Sequence, residues 1–446
     1  MADDLKKMYK TIEGDPFHDT MNIQFGSGKN KICLTYSKVT WDIGGKEEGL
    51  RYGENPGQPA AMYKLTSVRR AGEGIGETLS TERLLTADLK LIQSGKHPGK
   101  TNLTDTDNAM NILRHLTDKP TVAILKHNNP CGVATASNIA EAYVKADLAD
   151  RIAAFGGAIV MNRTCEADTA EEIIKRYSEV VAAPDFTGDA IDLFKKKKNL
   201  RVVQVKNMED LGAFQFHRFI DFKSLLDGSQ IVQLSYVPQL DTSQWVSAES
   251  EYKGNLFKIN REPTKQELSD MVFGWAVESG VTSNSVIYVK NGVTVGIGTG
   301  EQDRVGVAEI ARDKAYNKLA DRYCFEEHGI SMNELKLLTY HKINDIQTKY
   351  ENEKMNEIMG NNDAKSLTRM EINIDERVQA ENGGLKGSVM VSDAFFPFRD
   401  GIDVGLREGV IAVVQPGGSE NDYQSIQACN ESKAAMMYTK QRSFKH

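Results

Sequence analysis

Residues 121–132 read TVAILKHNNPCG and indicate the fold more clearly than any other stretch. An apolar, β-branched run ends abruptly at a Lys-His pair, and two carboxamides with Pro and Gly follow it. Such a run predicts a short buried strand, and the Asn-Pro pair predicts the turn that ends it. Helical patterns lie before it at 107–116 and after it at 138–149, and further strand-like runs follow at 158–161 and 180–183. Alternating strands and helices predict a layered α/β core.

The C-terminal half repeats this arrangement. A helical pattern at 265–278 precedes two strand-like runs that flank Asn291-Gly292, a dipeptide typical of a type I′ hairpin turn. Residues 313–385 are rich in Lys, Glu, Asn and Met with helical spacing, as in 343–359, which predicts a helical insertion. Strand-like runs resume at 388–391, 410–414 and 434–438. The two halves share a pattern without a visible sequence period, which favours a structural duplication.

Composition excludes several classes of protein. The 446 residues carry 55 Lys and Arg against 62 Asp and Glu, so the net charge of −7 gives no basic excess for nucleic-acid binding. The apolar runs are too short to cross a bilayer, and the N-terminus lacks the apolar core of a secretory signal. Five scattered cysteines without C-x-x-C spacing predict reduced thiols in a cytoplasmic protein and no metal site.

The Lys126-His127 pair is the richest candidate for chemistry. Ligands commonly bind beyond the carboxyl ends of strands in α/β sheets. A neighbouring ammonium favours the neutral imidazole that a general base needs. A polar strand end, with the imidazole capping a neighbouring element, accounts for the same residues. The residues alone leave both interpretations open.

Other segments carry weaker signals. Arg51-Tyr52 within RYGENP offers a planar fork for phosphate or carboxylate, although a surface turn explains it more simply. Residues 392–401, SDAFFPFRDG, interleave aromatics with charges and favour a platform for a flat heterocycle, with a core-facing aromatic turn as the alternative. The run 95–101, GKHPGKT, is one residue short of a P-loop, holds a proline and follows a helical pattern at 84–92, so an ATP site is rejected.

Taken in order, these segments resemble the AICAR transformylase domain of the bifunctional purine-biosynthesis family. The resemblance runs from Arg51 to His446, and its motifs are RYGENP, LKHNNPCG, AFGGAIVMN, SNSVIYVKNG with GIGTGEQDR, DAFFPFRDG, QPGGS and RSFKH. It implies formyl transfer from 10-formyltetrahydrofolate to AICAR ribonucleotide, and a homodimer with active sites at the subunit interface. It also implies two duplicated cytidine-deaminase-like three-layer lobes with a small helical insertion. The zinc-ligand pattern of the deaminases themselves is missing from the sequence.

The resemblance also implies roles for single residues. Lys126 and His127 match the catalytic pair. The residues that match contacts to AICAR ribonucleotide are Arg51, Tyr52, Gly156, Glu179, Asn284, Phe395 and Arg442. The residues that match positions near the folate are Arg304, Asp400, Ser419 and Glu420. Glu179 stands where the family has aspartate, so its extra methylene is expected to shift that contact. His446 matches a terminal histidine of the family.

The implied domains are 51–215 for the first lobe, 216–312 with 386–446 for the second lobe, and 313–385 for the insertion. Only 50 residues precede Arg51, too few for an α/β domain of ordinary size, so the expectation is a transformylase without IMP cyclohydrolase activity. Two alternatives stay open. A nucleotide hydrolase or deaminase on the same fold would need a metal, and a non-catalytic nucleotide-binding protein would not need the acid–base pair.

Overall fold

The computed structural model describes residues 16–55, 58–70, 84–95 and 97–446. The chain divides into two compact units. Unit 1 comprises the chain up to residue 130 together with 135–144 and 155–237. Unit 2 comprises 131–134, 145–154 and 238–446.

Unit 1 is mixed α/β. Its strands are β1 (Thr20–Phe25), β2 (Ile32–Lys38), β3 (Trp41–Asp42), β4 (Glu47–Glu48), β5 (Tyr63–Arg70), β6 (Lys90–Gln93), β7 (Thr121–Lys126), the ends of β8 (Asn129–Thr135), β9 (Ala158–Met161), β10 (Val180–Ala183), β11 (Arg201–Gln204), β12 (Ile220–Ser224) and β13 (Gln230–Leu234). Its helices are α1 (Lys100–Leu113), the first part of α2 (Ile139–Ala149), α4 (Ala167–Ile173) and α5 (Gly188–Phe194). The short α3 (Arg151–Ala154) belongs to unit 2.

The main sheet of unit 1 has the strand order β7-β9-β10-β11-β6. The β7–β9 pair is antiparallel, β9–β10 and β10–β11 are parallel, and β11–β6 is antiparallel. β9 and β10 are buried at every residue, and β7 at all but its last. Burial on both faces explains why these strands read as unbroken apolar runs, and it confirms the strands predicted from them.

Unit 2 is also mixed α/β. Its strands are β14 (Val246–Ser247), β15 (Glu249–Tyr252), β16 (Asn255–Lys258), β17 (Val286–Lys290), β18 (Val293–Gly298), β19 (Val389–Ser392), β20 (Ala412–Gln415) and β21 (Ala435–Tyr438). Its longer helices are α6 (Lys265–Glu278), α7 (Arg304–His328), α8 (Met332–Ile343), α9 (Glu353–Asn361), α10 (Ala364–Ala380), α11 (Asp400–Arg407) and α12 (Asp422–Glu431). The α6 helix and the β17–β18 hairpin lie where the sequence predicts them.

The sheet of unit 2 repeats the strand order of unit 1. From β17 the order is β17-β19-β20-β21-β14, and the successive pairs are antiparallel, parallel, parallel and antiparallel. In each unit a 14-residue helix, α1 or α6, comes directly before the strand that begins this order, β7 or β17. The two units therefore share one topology, which the sequence suggested by pattern alone.

The helices from α7 to α10 share a core of their own. Buried side chains of α7 to α10 form it, among them Cys324, Leu335, Leu338, Leu367 and Ile374. The helical spacing at 343–359 does not correspond to one helix, because α8 ends at Ile343 and α9 begins at Glu353. The side chain of Asn352 accepts a hydrogen bond from the Lys354 N–H, so Asn352 starts a new helix as its N-cap.

Two further differences concern unit 1. The helical pattern at 84–92 is wrong, because Lys90–Gln93 forms an edge strand that pairs with β11. GKHPGKT therefore does lie between a strand and a helix, although its short spacing and its proline still separate it from a P-loop. The division between the units falls at 237/238, whereas the predicted lobes met at 215/216, since the β12–β13 hairpin stays with unit 1. No helix of the described residues is long and apolar enough to cross a membrane.

Candidate active site

The Lys126-His127 pair lies where β7 ends and the chain turns into β8. His127 and Asn128 form the turn, with φ angles of 55° and 61°. A type I′ turn needs positive φ at both central positions, which Asn and Gly adopt more readily than a bulkier residue. His127 is exposed, while the strand before it is buried. The fold thus presents an imidazole on a tight turn that its surroundings must hold.

Two buried side chains of α1 contact this turn. Asp105 Oδ1 accepts a 2.6 Å hydrogen bond from the Asn128 N–H, and Asn108 Nδ2 donates a 2.9 Å bond to the Asn128 carbonyl. Burial raises the pKa of Asp105, while the Asn128 N–H and the nearby His127 oppose that rise. Sequence reasoning missed both residues, because nothing in the α1 sequence indicates which turn its polar side chains reach.

The ammonium of Lys126 lies beside the glycine turn that precedes β9. Its Nζ donates a 2.9 Å hydrogen bond to the Phe155 carbonyl. Gly156 follows with a φ of 75°, and a Cβ there would lie 3.4 Å from the Tyr177 ring. The structure therefore brings two predicted residues, Lys126 and Gly156, to the same end of the β7–β9 strand pair.

Glu179, the residue before β10, lies in a polar cluster of unit 1. Its Oε2 accepts a 3.0 Å hydrogen bond from Asn102 Nδ2 and lies 3.7 Å from a terminal nitrogen of Arg201. The Arg201 side chain is 2% exposed, whereas that of Glu179 is 40% exposed. Burial lowers the pKa of Arg201, and the charge of Glu179 opposes this. Asn102 and Arg201 were also missed, since neither belongs to a motif.

Arg51 and Tyr52 lie in the loop between β4 and β5, and the Tyr52 carbonyl accepts a 3.3 Å hydrogen bond from the Lys100 N–H at the start of α1. A terminal nitrogen of Arg51 donates a 2.8 Å hydrogen bond to the Tyr52 hydroxyl, and the guanidinium carbon lies 4.5 Å from the centre of that ring. In the described part of the chain, no acceptor meets the buried Nε of Arg51 or that of Arg201. An anion such as phosphate would supply the acceptor that these two buried N–H donors lack.

Arg304, the first residue of α7, reaches into a buried cluster of unit 2. One terminal nitrogen pairs with Asp393, and the other donates a 2.7 Å hydrogen bond to Asn284 Oδ1. The side-chain amide of Asn284 donates in turn to the carbonyls of Glu301 and Gln302, each at 2.9 Å. The side chains of Arg304 and Asp393 are 7% and 0% exposed. Two predicted residues, Asn284 and Arg304, thus share one hydrogen-bond network.

The C-terminal segment contacts the same network. Ser443 N–H donates a 2.9 Å hydrogen bond to the Asp393 carbonyl, and the Lys445 carbonyl accepts a 3.0 Å bond from the Ser283 N–H. The exposed Arg442 guanidinium lies 4.6 Å from the Phe444 ring centre. The Phe444 and His446 ring centres are 5.6 Å apart. These contacts fix the backbone around Arg442.

The remaining predicted residues of unit 2 lie on loops and at a helix start. Phe395 is half-buried, and Asp400 and Glu420 are exposed. The Ser419 hydroxyl accepts a 3.1 Å hydrogen bond from the Asn421 N–H. Within the described ranges, no hydrogen bond or ion pair links Asp400 or Glu420 to the Arg304 network.

Glu278 is the most unusual buried group of unit 2. It is fully buried, and within the part of the chain that the structure describes neither carboxyl oxygen has a hydrogen-bond partner of good geometry. Burial, and then repulsion by Asp393, raise its pKa well above the ordinary value. The surroundings of Glu278, beside the Arg304–Asp393 pair, therefore favour its neutral form. No cluster of three or more His, Cys, Asp or Glu side chains that could hold a metal was found among the described residues.

Two groups of side chains in unit 1 are suited to different tasks. The Lys-His turn can transfer a proton and stabilise a developing oxyanion, and the Arg51–Arg201–Glu179 cluster of the same unit can bind an anion and a hydroxyl or amine. Their side chains come from strand ends and loops of a mixed α/β fold, the places where α/β enzymes commonly carry their site residues. The family described as AICARFT/IMPCHase bienzyme matches residues 19–314, and the chain belongs to this family.

The chain is similar to proteins named bifunctional purine biosynthesis protein PurH. It is 35% identical over 407 residues to that of Agrobacterium fabrum, which covers 91% of this chain and 60% of the relative. It is 32% identical over 402 residues to that of a Thermoanaerobacter species, covering 90% of this chain and 59% of the relative. For Acetivibrio thermocellus the identity is 32% over 448 residues, with 99% and 67% covered. The chain spans about 60% of the length of the first two relatives.

Proposed function

We propose that this chain transfers a formyl group from 10-formyltetrahydrofolate to the 5-amino group of AICAR ribonucleotide, giving formyl-AICAR ribonucleotide and tetrahydrofolate in IMP biosynthesis. Family membership supports the proposal. The observation that carries it is the exposed His127 on a left-handed turn, directly after an ammonium at the sheet edge. A protein that only bound nucleotides would have no chemical need for this acid–base pair.

The substrate amine is a poor nucleophile, because its lone pair is delocalised into the imidazole ring and the carboxamide. His127 removes a proton from the amine as its nitrogen attacks the formyl carbon. Lys126 stabilises the oxyanion of the tetrahedral intermediate. The intermediate then collapses, the bond from carbon to the folate nitrogen breaks, and that nitrogen takes up a proton. General acid–base catalysis of this kind contributes roughly 10²–10⁴-fold.

The other predicted residues would bind the two substrates. Arg51, with the unpaired Nε donor noted above, and Arg442 would hold the phosphate and its neighbourhood. Glu179, which already bonds Asn102, would accept from the ribose or the base. The further nucleotide contacts would come from Tyr52, Gly156, Asn284 and Phe395. The folate would lie near Arg304, Asp400, Ser419 and Glu420.

The shared strand order of the two units supports a finer fold assignment. We propose that both are cytidine-deaminase-like lobes that arose by duplication, with the α7–α10 region as the insertion. We also propose a homodimer with its active sites at the subunit interface, acting in the cytoplasm. Light scattering tests the assembly, and a fully active monomer would contradict it.

The decisive experiment is an assay of the purified protein with AICAR ribonucleotide and 10-formyltetrahydrofolate. Tetrahydrofolate release is followed by absorbance, and chromatography separates formyl-AICAR ribonucleotide from IMP. We expect release of tetrahydrofolate with formyl-AICAR ribonucleotide as the product. Binding of the nucleotide without turnover would favour the non-catalytic alternative. Hydrolysis or deamination of a nucleotide by protein that contains a metal would favour the deaminase alternative.

A further inference from the structure

We propose that Asp105, assisted by Asn108, is a positioning residue that aims His127 by holding the 127–128 turn in its left-handed conformation. This inference rests on the function proposed above. Asp105 hydrogen-bonds the backbone of the turn, and its charge lies close enough to His127 to interact with it, so it acts on the imidazole without touching the substrate. It is 5% exposed and Asn108 is 6% exposed, so both are fixed by the packing of α1.

The turn needs such support because of its residues. His127 and Asn128 both take positive φ, which is uncommon for any residue other than glycine, and the turn contains no glycine. A sparsely populated backbone conformation is costly, and it persists only where the surroundings enforce it. Asp105 satisfies the N–H of Asn128 and Asn108 satisfies its carbonyl, so α1 contacts both polar backbone groups of one turn residue.

Unit 2 contains a matching aspartate that hydrogen-bonds the turn after its helix. Asp105 is the sixth residue of α1, and Asp270 is the sixth residue of α6. Asp270 accepts hydrogen bonds from the N–H groups of Asn291 (2.9 Å) and Gly292 (2.7 Å). An aspartate at one helix position therefore holds the following hairpin turn in each unit, which indicates a role in backbone conformation.

The two turns differ in how much they depend on this aspartate. Asn291-Gly292 favours the type I′ turn by itself, whereas the turn with His127 does not. The additional bond from Asn108 is made only in unit 1, where the corresponding α6 residue is Phe273. An imidazole that is displaced by about 1 Å can lose about 10²-fold in rate. Removing the support should therefore affect chemistry in unit 1 and only local stability in unit 2.

The test compares Asp105→Ala with Asp270→Ala in the full chain. Hydrogen exchange by mass spectrometry is measured on peptides that cover 126–130 and 290–293. Asp105→Ala is expected to speed exchange at 126–130 and to lower kcat about 10–10²-fold, with the KM for AICAR ribonucleotide nearly unchanged. Asp270→Ala is expected to speed exchange at 290–293 and to leave kcat unchanged. Asp105→Asn keeps an acceptor oxygen and is expected to retain most of the activity.

A second change separates positioning from chemistry. Asn128→Gly gives the turn a residue that adopts positive φ without strain, as Gly292 does in unit 2. The double variant Asp105→Ala, Asn128→Gly is expected to regain most of the kcat that Asp105→Ala loses. A double variant as inactive as Asp105→Ala would overturn the inference, and so would an Asp105→Ala protein with normal kcat.

The experiments distinguish failure of the proposed function from failure of the positioning role of Asp105. A natural chain that releases no tetrahydrofolate in the assay refutes the proposed function. The exchange measurement still tests whether Asp105 holds the turn, because it needs no substrate. Unchanged exchange at 126–130 in Asp105→Ala would overturn the positioning role, whichever reaction the chain catalyses.

Discussion

The turn at 127–128 and the turn at 291–292 occupy the same place in two units of the same topology, yet their side chains differ. Each follows a lysine that ends its strand, and each is held by the sixth residue of the preceding helix. Lys126 donates to the Phe155 carbonyl and Lys290 to the Lys386 carbonyl. Each of those carbonyls lies three residues before the strand that neighbours the lysine's strand in the sheet, β9 in unit 1 and β19 in unit 2.

The lysine before the turn belongs to the shared topology, whereas the imidazole in the turn occurs in unit 1 alone among the two turns. A lysine at this strand end supports the fold in both units, so its presence alone does not indicate catalysis. The imidazole has no counterpart in unit 2, where Asn fills the same position. It stands in a backbone conformation that few residues other than glycine adopt, and such conformations are concentrated at functional sites.

The largest effect is expected from His127→Ala compared with Asn291→Ala. Loss of the general base should lower kcat about 10²–10⁴-fold, while AICAR ribonucleotide still binds. The check is steady-state kinetics together with calorimetric titration of the nucleotide. Asn291→Ala is the matched control, expected to keep normal kcat. Near-normal turnover of His127→Ala would remove the distinction between the two turns.

Lys126→Met compared with Lys290→Met gives the next largest effect. Both variants lose the same hydrogen bond to a backbone carbonyl, so a purely structural lysine would behave alike in both units. If Lys126 stabilises the oxyanion, only its variant should lose about 10²-fold in kcat. Lys290→Met should cost no more than about 1 kcal/mol of stability in urea unfolding. Equal kinetics of the two variants would assign Lys126 to structure alone.

The two units also bury ionisable groups of opposite kinds. His115 follows α1 in unit 1; burial, and then the charge of Arg114, lower its pKa to about 3. Between pH 6.5 and 3 the unfolded chain therefore binds the extra proton. The stability from His115 is present above pH 6.5 and is lost as pH falls, by up to about 1.4 kcal/mol per pH unit.

We expect His115→Gln to flatten the fall in the free energy of unfolding between pH 6.5 and 4, as measured by urea titration. His18→Gln, at an exposed position, serves as the control and should keep the slope of the natural chain. The same slope in both variants would show that His115 titrates normally in the folded state.

Glu278 in unit 2 should change stability with pH in the direction opposite to His115. Its net effect should be the smallest, because many other carboxyl groups titrate in the same pH range. Its raised pKa means that the folded chain binds the extra proton once pH exceeds the ordinary carboxyl value. Stability from this site is complete at lower pH and is lost as pH rises towards the folded pKa. Glu278→Gln should therefore gain stability relative to the natural chain between pH 5 and 8, as measured by thermal unfolding. A constant difference across this range would contradict a neutral Glu278.

Much of the fold follows from local pattern. β9 and β10 lie at the predicted residues, and Asn291-Gly292 forms the predicted turn, because burial and turn chemistry are recorded in neighbouring residues. The errors arise where the local pattern is ambiguous. The Lys90–Gln93 strand is half-exposed at an edge and depends on its pairing with β11, and the helix break before Asn352 follows from its capping side chain.

By itself, the sequence determined the alternating α/β pattern, the helical character of the region between β18 and β19, and the Lys126-His127 pair with its family motifs. Only the tertiary structure revealed that Asp105 and Asn108 hold the turn, that Asn102 and Arg201 surround Glu179, and that Asp393 pairs with Arg304. The physical reason is the range of the interactions. Hydrophobic periodicity and turn preference act within a few residues, whereas these hydrogen bonds and ion pairs join elements that lie far apart along the chain and meet only when the sheet and helices pack.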